Sequence, residues 1–239
     1  MCRFFSTVRT ERSPPRSKPI HPYNKINNLK KHYIMSDICD RSILHDFGYD
    51  CENPNAAGLE KEALLINFDD IDRVASVVTT TPATGQQGAK TVLTKLVLKT
   101  GKKANTIVQV KDSFSGTAVA QADGTYTTGF NHTFAFVSFD RSPAAKQAIA
   151  NMVNTRTVAV VVNKTAPDDS KYEVFGWYSG LGATATVTQD YVAAEGVGAI
   201  PITLVSGLEP ALPLSFYDTD LETTAAAFDA LKTIAVPAS

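Results

Sequence analysis

The segment that comes nearest to a nucleotide-binding loop is Gly85-Gln-Gln-Gly88-Ala-Lys90-Thr91. A P-loop holds phosphates because its glycine-rich backbone N–H groups converge on them and the lysine after its last glycine reaches the same oxygens. Here Ala89 separates Gly88 from Lys90, and Lys90 begins a run typical of a strand where the motif requires a helix. The segment is therefore predicted to be a flexible loop without phosphate-binding function.

Cys39, His45 and Cys51 carry atoms that metals bind, and three aspartates lie close to them in the sequence. Zinc sites use cysteine pairs two to four residues apart, whereas these side chains follow one another at intervals of six. A disulfide between Cys39 and Cys51 is geometrically possible across a loop, but an N-terminus without the apolar core of a secretory signal favours reduced thiols. We predict no metal ligands, and the redox state of the two cysteines stays open.

Nucleophilic and acid–base catalysis have no clear candidate residues. The Gly-x-Ser-x-Gly pattern is absent, and His132 has no acid near it in the sequence that would orient it, which is typical of a surface or hydrogen-bonded histidine. Asp218, Asp220 and Glu222 alternate, but the glycine of a calcium loop is missing, and acids at the start of a helix stabilise its dipole. We therefore predict no catalytic residue, no cofactor, no metal and no enzymatic activity.

Charge divides the chain into two different parts. Residues 1–34 contain eight lysines or arginines and only Glu11 as an acid, a net charge of +7, while the remaining 15 basic and 23 acidic residues give −8. The first part lacks an apolar signal core, and its prolines break an amphipathic helix early. We interpret residues 1–34 as a disordered basic leader, which an over-extended gene start ahead of Met35 would explain; a transit peptide and a nucleic-acid-binding arm are the alternatives.

The rest of the chain, residues 35–239, is predicted to form a single β-rich domain with an N-terminal arm over residues 35–62. Apolar runs of strand length follow the arm, punctuated by Gly, Pro and Asp. The predicted strands cover residues 63–68, 74–78, 90–100, 105–111, 125–140, 157–163, 171–178, 183–193 and 199–205. No apolar run approaches the roughly 20 residues that cross a bilayer, so no membrane association is predicted.

The connections complete the predicted architecture. Residues 90–111 are predicted to form a hairpin with a basic turn, and residues 79–89 and 116–124 to be exposed loops. Ser142-Pro143 is typical of a helix start, so a helix is predicted at about residues 142–154, and Thr219-Asp-Leu-Glu222 resembles a capping box for a short C-terminal helix. The fold class is therefore mainly β: a β-sandwich or barrel with one flanking α-helix.

Two regions of the sequence resemble virion structural proteins of phages and prophages from the Bacteroides group, most closely tail tube subunits. The similarity covers roughly residues 35–232 as a pattern of hydrophobic and glycine positions. It is carried by Cys39, Gly48, Cys51, Gly58-Leu-Glu-Lys61, Leu65-Ile-Asn-Phe-Asp-Asp-Ile71, Lys171-Tyr-Glu-Val-Phe-Gly-Trp-Tyr-Ser-Gly-Leu181 and Pro201-Ile-Thr-Leu204.

The resemblance implies a subunit that assembles with copies of itself into six-membered rings, and rings that stack into a tube. Other tail or head-completion proteins would be further partners, in the virion and, during assembly, in the cytoplasm of the bacterial host. The loop at residues 79–89 would reach a neighbouring ring. DNA would pass through without specific binding, because phosphate binding needs clustered Lys and Arg and the body is acidic.

Other functions remain open at this point. A capsid decoration or head–tail connector protein fits the same resemblance. A binding module, such as an adhesin or a carbohydrate-binding sandwich, would use Tyr126, Trp177 and Tyr178 as stacking platforms. The apolar neighbours of Trp177 favour a core position for its ring.

Overall fold

The computed structural model describes residues 58–82, 89–109, 112–123, 127–183 and 199–236. The leader (1–34) and most of the predicted arm lie outside these residues, as do Tyr126 and most of the predicted strand at 183–193. The strands are β1 (Leu59–Asn67), β2 (Val77–Thr81), β3 (Lys90–Lys95), β4 (Asn105–Val108), β5 (Ser115–Asp123), β6 (Thr127–Ser138), β7 (Arg156–Asn163), β8 (Tyr172–Phe175), β9 (Leu181–Ala183), β10 (Ile200–Glu209) and β11 (Leu214–Phe216). The helices are α1 (Pro143–Asn154) and α2 (Leu221–Ala230).

The predicted mainly β fold class is confirmed. All eleven strands belong to one mixed sheet, whose order is β2-β3-β11-β8-β7-β9-β10-β6-β5, with β1 paired to β7 and β4 paired to β1. Among the pairs of described strands, only β11 and β3 run parallel. The described sheet does not close into a barrel, so the barrel alternative is wrong. The sheet instead branches at β7, which pairs with both β8 and β9. Strand β8 leads to β11, β3 and β2, and strand β9 leads to β10, β6 and β5.

Strand β7 lies at the centre, and both of its faces are buried as its continuous apolar sequence predicts. Val158, Val160 and Val162 point into a first core, which α2 covers with Phe228. Ala159 and Val161 point into a second core, which contains residues of β6 and β10. The two layers of the sandwich therefore meet across this second core.

Both predicted helices are present. Ser142 caps α1 by accepting a hydrogen bond from the backbone N–H of Ala145 at 3.2 Å. The cap of α2 is Asp220 and not Thr219, since the Asp220 carboxylate accepts from the N–H of Thr223 at 2.7 Å. The predicted capping box is therefore displaced by one residue, because the charged oxygen of Asp220 occupies the capping position.

Two predicted connections are wrong, and a third is tested only in part. The predicted loop at residues 116–124 is almost entirely β5. The first three residues of the predicted loop at 79–89 belong to β2, and residues 83–88 lie outside the described residues. The predicted hairpin at 90–111 does not form, because β3 pairs with β2 and β11 while β4 pairs with β1. Strand β1 also begins at Leu59, inside the predicted arm.

Candidate functional site

The longest exposed edge of the sheet is β5. This strand pairs with β6 over nine consecutive positions, from Ser115 opposite Ala135 to Asp123 opposite Thr127, without a register shift. Within the described residues, its other edge pairs with no strand. Residues 115–122 contain no charge and no proline, and Val119 is 60% exposed. Natural proteins protect free edges with lysines, prolines, bulges or short strands, and β5 has none of these.

The second end of the sheet is β2. It pairs only with β3 among the described strands, and it too contains only uncharged residues. Threonine hydroxyls join it to β3: the Oγ1 atoms of Thr80 and Thr91 are 3.1 Å apart, and those of Thr79 and Thr94 are 3.2 Å apart. Val77 and Val78 are both exposed. The described sheet path therefore ends on one side in the uncharged strand β2 and on the other in β5, whose only charged residue is Asp123.

Phe175 positions the start of β5 on the second core. A Cβ atom built on Gly116 would lie 2.8 Å from Cζ of Phe175, so only glycine allows this close approach. Phe114, just before β5, is buried with its ring centroid 5.6 Å from that of Phe134 on β6. The exposed edge is therefore held on a rigid aromatic base.

Gln109 holds the chain ahead of β5 in place, a role that no local sequence pattern predicts. Its buried side-chain amide donates to the carbonyl oxygens of Leu59 and Glu60, both at 2.8 Å, and its Oε1 accepts from the N–H of Phe114 at 2.8 Å. A buried amide that satisfies three backbone groups holds two distant segments in a single arrangement.

His132 is buried in the middle of β6 and has both ring nitrogens bonded. Nδ1 accepts from the N–H of Gly176 at 3.2 Å, which leaves Nε2 to donate to the carbonyl oxygen of Ala211 at 2.9 Å. Burial lowers the pKa of His132, while the Ala211 carbonyl and the charge of Glu209 act in the opposite direction. Of the two predicted alternatives, a surface or a hydrogen-bonded histidine, the second is the one found, and both ring nitrogens of His132 hold backbone groups of the fold.

Glu209 is fully buried near this histidine, and the hydrogen bonds of its carboxylate hold a turn. Its carboxylate accepts from the N–H groups of Tyr178 and Ser179 at 3.0 and 2.8 Å, and from the Ser179 hydroxyl at 2.6 Å. Such a carboxylate replaces its lost hydration with protein donors. The arrangement anchors the turn between β8 and β9, where the chain passes from one layer to the other.

Trp177 and Tyr178 lie in the same turn, and their exposure shows which of them could stack against a sugar and which is part of the core. Trp177 is only 5% exposed and belongs to the first core, with the Arg73 guanidinium 4.0 Å from its ring centre. Its predicted core position is confirmed, so its face is not a stacking platform for a sugar. Tyr178 is 43% exposed.

The remaining candidate residues form no common site. Lys90 begins β3, as predicted, and residues 85–88 of the loop before it lie outside the described residues. Cys39, His45 and Cys51 also lie outside them. In the described ranges, no three His, Cys, Asp or Glu side chains are grouped as metal ligands would be.

No family model, no curated protein and no solved structure matches this chain. None of the helices in the described residues is long and apolar enough to span a membrane.

Proposed function

We propose that this protein is a structural subunit of a phage virion, a tail tube protein that assembles with copies of itself and catalyses no reaction. The observation that carries the proposal is the unprotected nine-residue edge of β5. The sequence resemblance to tail tube subunits and the sandwich with its flanking helix α1 support it further.

A strand of a second copy that pairs with β5 would bind through backbone hydrogen bonds. About half of the N–H and C=O groups of an edge strand point away from its only partner, and each hydrogen bond formed there adds roughly 0.5–1.5 kcal/mol. The small side chains of β5, chiefly alanine, serine and glycine, place no bulk in the way of an added strand. This is strand addition, the most direct way to extend a sheet from one copy to the next.

Two different edges favour rings over simple pairs. When β5 of one copy meets β2 of the next, the resulting pair still has one free β2 edge and one free β5 edge, and the contact repeats until the rotation closes. A heterologous contact of this type produces rings or filaments, whereas β5 meeting β5 stops at a dimer.

The charge of the body agrees with a conduit for DNA. Residues after Ile34 carry a net charge of −8, so phosphates are repelled and not held. DNA would pass through the assembled tube without specific contacts, and the partners of the subunit would be its own copies and other tail or head-completion proteins. The subunit would assemble in the host cytoplasm and remain in the virion.

Negative-stain electron microscopy of the purified full chain, together with its mass in solution, tests the proposal. We expect rings or stacked tubes at high protein concentration, and a mass that rises with concentration. A protein that remains a monomer at high concentration, with no rings, would contradict it. Pairs or trimers without tubes would instead indicate a capsid decoration or connector role.

A further inference from the structure

His132 lies at a β-bulge, where the pairing of β6 with β10 is interrupted. The register shifts between Val205 and Leu208, so that Ser206 and Gly207 of β10 both lie opposite His132. A bulge of this kind disrupts the ladder of backbone hydrogen bonds and bends the strand. The backbone N–H of His132 accordingly donates to a side chain, the hydroxyl of Ser206, at 2.8 Å.

On one side of this bulge, β5 and β6 form an extension of the sheet that we call the arm. It consists of residues 119–123 of β5 and residues 127–131 of β6, which pair with each other at every position. Strand β6 pairs with β10 at only two positions on the side of the arm, and at six positions on the other side of the bulge. The arm carries five of the nine residues of β5, including the exposed Val119, so the exposed edge depends on how firmly the arm is held.

The ring of His132 fastens the base of the arm to two turns. Its Nδ1 accepts from the N–H of Gly176 at 3.2 Å, and its Nε2 donates to the carbonyl oxygen of Ala211 at 2.9 Å. The ring also lies edge-on to Phe175, with 5.8 Å between the ring centroids, and His132 pairs with Ala118 of β5. The side chain therefore supplies, at the bulge, a connection that the backbone ladder lacks there.

One charged group acts on this ring. Strand β5 and the segment after β10 present the uncharged Ala118 and Ala211 to it. The turn after β8 carries Tyr178, whose phenol is neutral at ordinary pH because burial raises its pKa further. Glu209 of β10 is ionised, and its charge raises the pKa of His132, but burial outweighs this effect and lowers that pKa.

Protonation of His132 breaks the fastening on one side. A protonated Nδ1 carries a hydrogen, so it can no longer accept the N–H of Gly176, and two donors then face each other in a buried place. The bond to Ala211 is compatible with both states of the ring. The loss falls where β6 has the fewest backbone connections, and local opening of a protein begins at such places.

We propose that His132 is a proton-operated latch: its neutral ring holds the arm in place, and protonation of the ring releases the arm and distorts the β5 edge. Acid therefore prevents the assembly through β5. Since the neutral ring holds the arm, the latch is closed above about pH 6.5 and opens as the pH falls below that value. The control of assembly rests on the proposed function, whereas the movement of the arm does not.

Hydrogen–deuterium exchange of the dilute full chain, with rates divided by the intrinsic rate at each pH, tests the movement. We expect the protection of the arm to fall roughly tenfold between pH 7 and pH 5, the change that one pH unit of linked protonation gives. The arm should exchange while β1, in the centre of the sheet, is still protected. An arm without this fall, or an arm and β1 with equal protection at pH 5, would overturn the latch.

Two variants identify the titrating group. His132→Gln does not titrate, so the fall in protection should be absent. A chain in which His21, His32 and His45 are all replaced by glutamine keeps His132 as its only histidine and should show the fall of the wild type. Loss of the fall in this triple variant would assign the response to another histidine and overturn the proposal, even if His132→Gln does not fold.

Sedimentation velocity at high protein concentration, at pH 7 and pH 5, tests the control of assembly. We expect the wild type to assemble at pH 7 and to do so roughly tenfold more weakly at pH 5, while His132→Gln assembles equally at both. Equal assembly of the wild type at the two pH values would overturn the proposed control. A wild type that is monomeric at both, with the expected exchange of the arm, would contradict the proposed function and support the latch.

Discussion

The missing side chain at Gly116 allows β5 to lie directly on the ring of Phe175. A methyl group there would approach Cζ of this buried ring to 2.8 Å. We predict that Gly116→Ala lowers the free energy of unfolding by about 1–3 kcal/mol, as overpacking does in well-packed cores. Urea unfolding measures this. Gly182→Ala is the control, because its methyl group would meet nothing closer than the Val205 carbonyl oxygen at 4.0 Å. An equal loss in both variants would contradict the account of Gly116.

His132 links β6 to the turns at Gly176 and Ala211 only in its neutral form, since a protonated Nδ1 could no longer accept the Gly176 N–H. Its pKa in the folded protein is lowered by burial. The unfolded chain therefore binds this proton more readily, and the stabilisation is complete above about pH 6.5 and declines as pH falls below that value toward the lowered pKa. The negative charge of Glu209 nearby raises the pKa of His132 but does not outweigh the effect of burial.

We predict that the wild-type chain loses more stability between pH 7 and pH 5 than His132→Gln, whose amide does not titrate. Urea unfolding at a series of pH values measures the stability of both proteins. The carboxylates, which titrate in both, cancel when the two pH profiles are subtracted. His132→Gln should be less stable at pH 7, because the glutamine cannot reproduce both hydrogen bonds of the ring. Parallel pH profiles for the two proteins would show that His132 is not the group responsible.

The roles of single polar residues divide into those that the sequence could predict and those that it could not. The cap at Ser142 depends on its immediate neighbours, so the local pattern was sufficient. The side chain of Gln109 bonds to residues 49 and 50 positions away, and that of Glu209 to residues 30 and 31 positions away, and no local pattern contains such partners. Hydrogen bonds between neighbouring residues can be predicted from a single sequence, whereas those between distant residues can be identified only once the fold is known.

At the scale of elements, strong patterns were predicted well and weak ones were missed. Strands β6 and β7 and helix α1 carry large or regularly spaced apolar residues that face a core, and they were predicted within about two residues. Strand β5 was predicted to be a loop because most of its residues are small and exposed, which leaves no alternation to detect. The edge that matters most for the proposed assembly thus has the weakest signal.

The wrong hairpin has a similar cause. A turn at Gly101 is present, but β3 and β4 on either side of it find partners far away in the sequence. Strand β3 gains two neighbours, β2 and β11, which a hairpin with β4 would not provide. Pairing within the sheet is decided by burial of both strand faces, and that burial is a property of the whole domain.

Helix α2 covers the first core and depends on one buried hydroxyl. Oγ1 of Thr224 donates to the carbonyl of Asp220 at 2.7 Å and accepts from the N–H of Asp218 at 3.0 Å. We predict that Thr224→Val, which keeps the shape but removes the hydroxyl, costs roughly 1–2 kcal/mol of unfolding free energy. Thermal or urea unfolding measures this, with Thr223→Val at an exposed position as the control. If both variants unfold like the wild type, the hydroxyl does not stabilise the helix.

At the scale of the whole molecule, the described sheet path is open and ends in β2 and β5. Residues 77–81 of β2 and 115–122 of β5 carry no charge, and β5 is long, regular and supported by aromatic residues. An isolated soluble protein is under pressure to protect such edges, because they template unwanted pairing. Two unprotected edge strands are consistent with a protein whose copies assemble by pairing these strands.

A matched pair of valine substitutions tests this central claim most directly. Val119 on β5 and Val153 on α1 are 60% and 53% exposed, so a lysine is tolerated at both positions by the folded monomer. Sedimentation velocity of the two variants and the wild type, over the same range of concentrations, compares their assembly. We predict that Val119→Lys remains monomeric, because a charged edge strand resists strand addition, while Val153→Lys assembles like the wild type. Assembly of Val119→Lys to the wild-type extent would contradict the account.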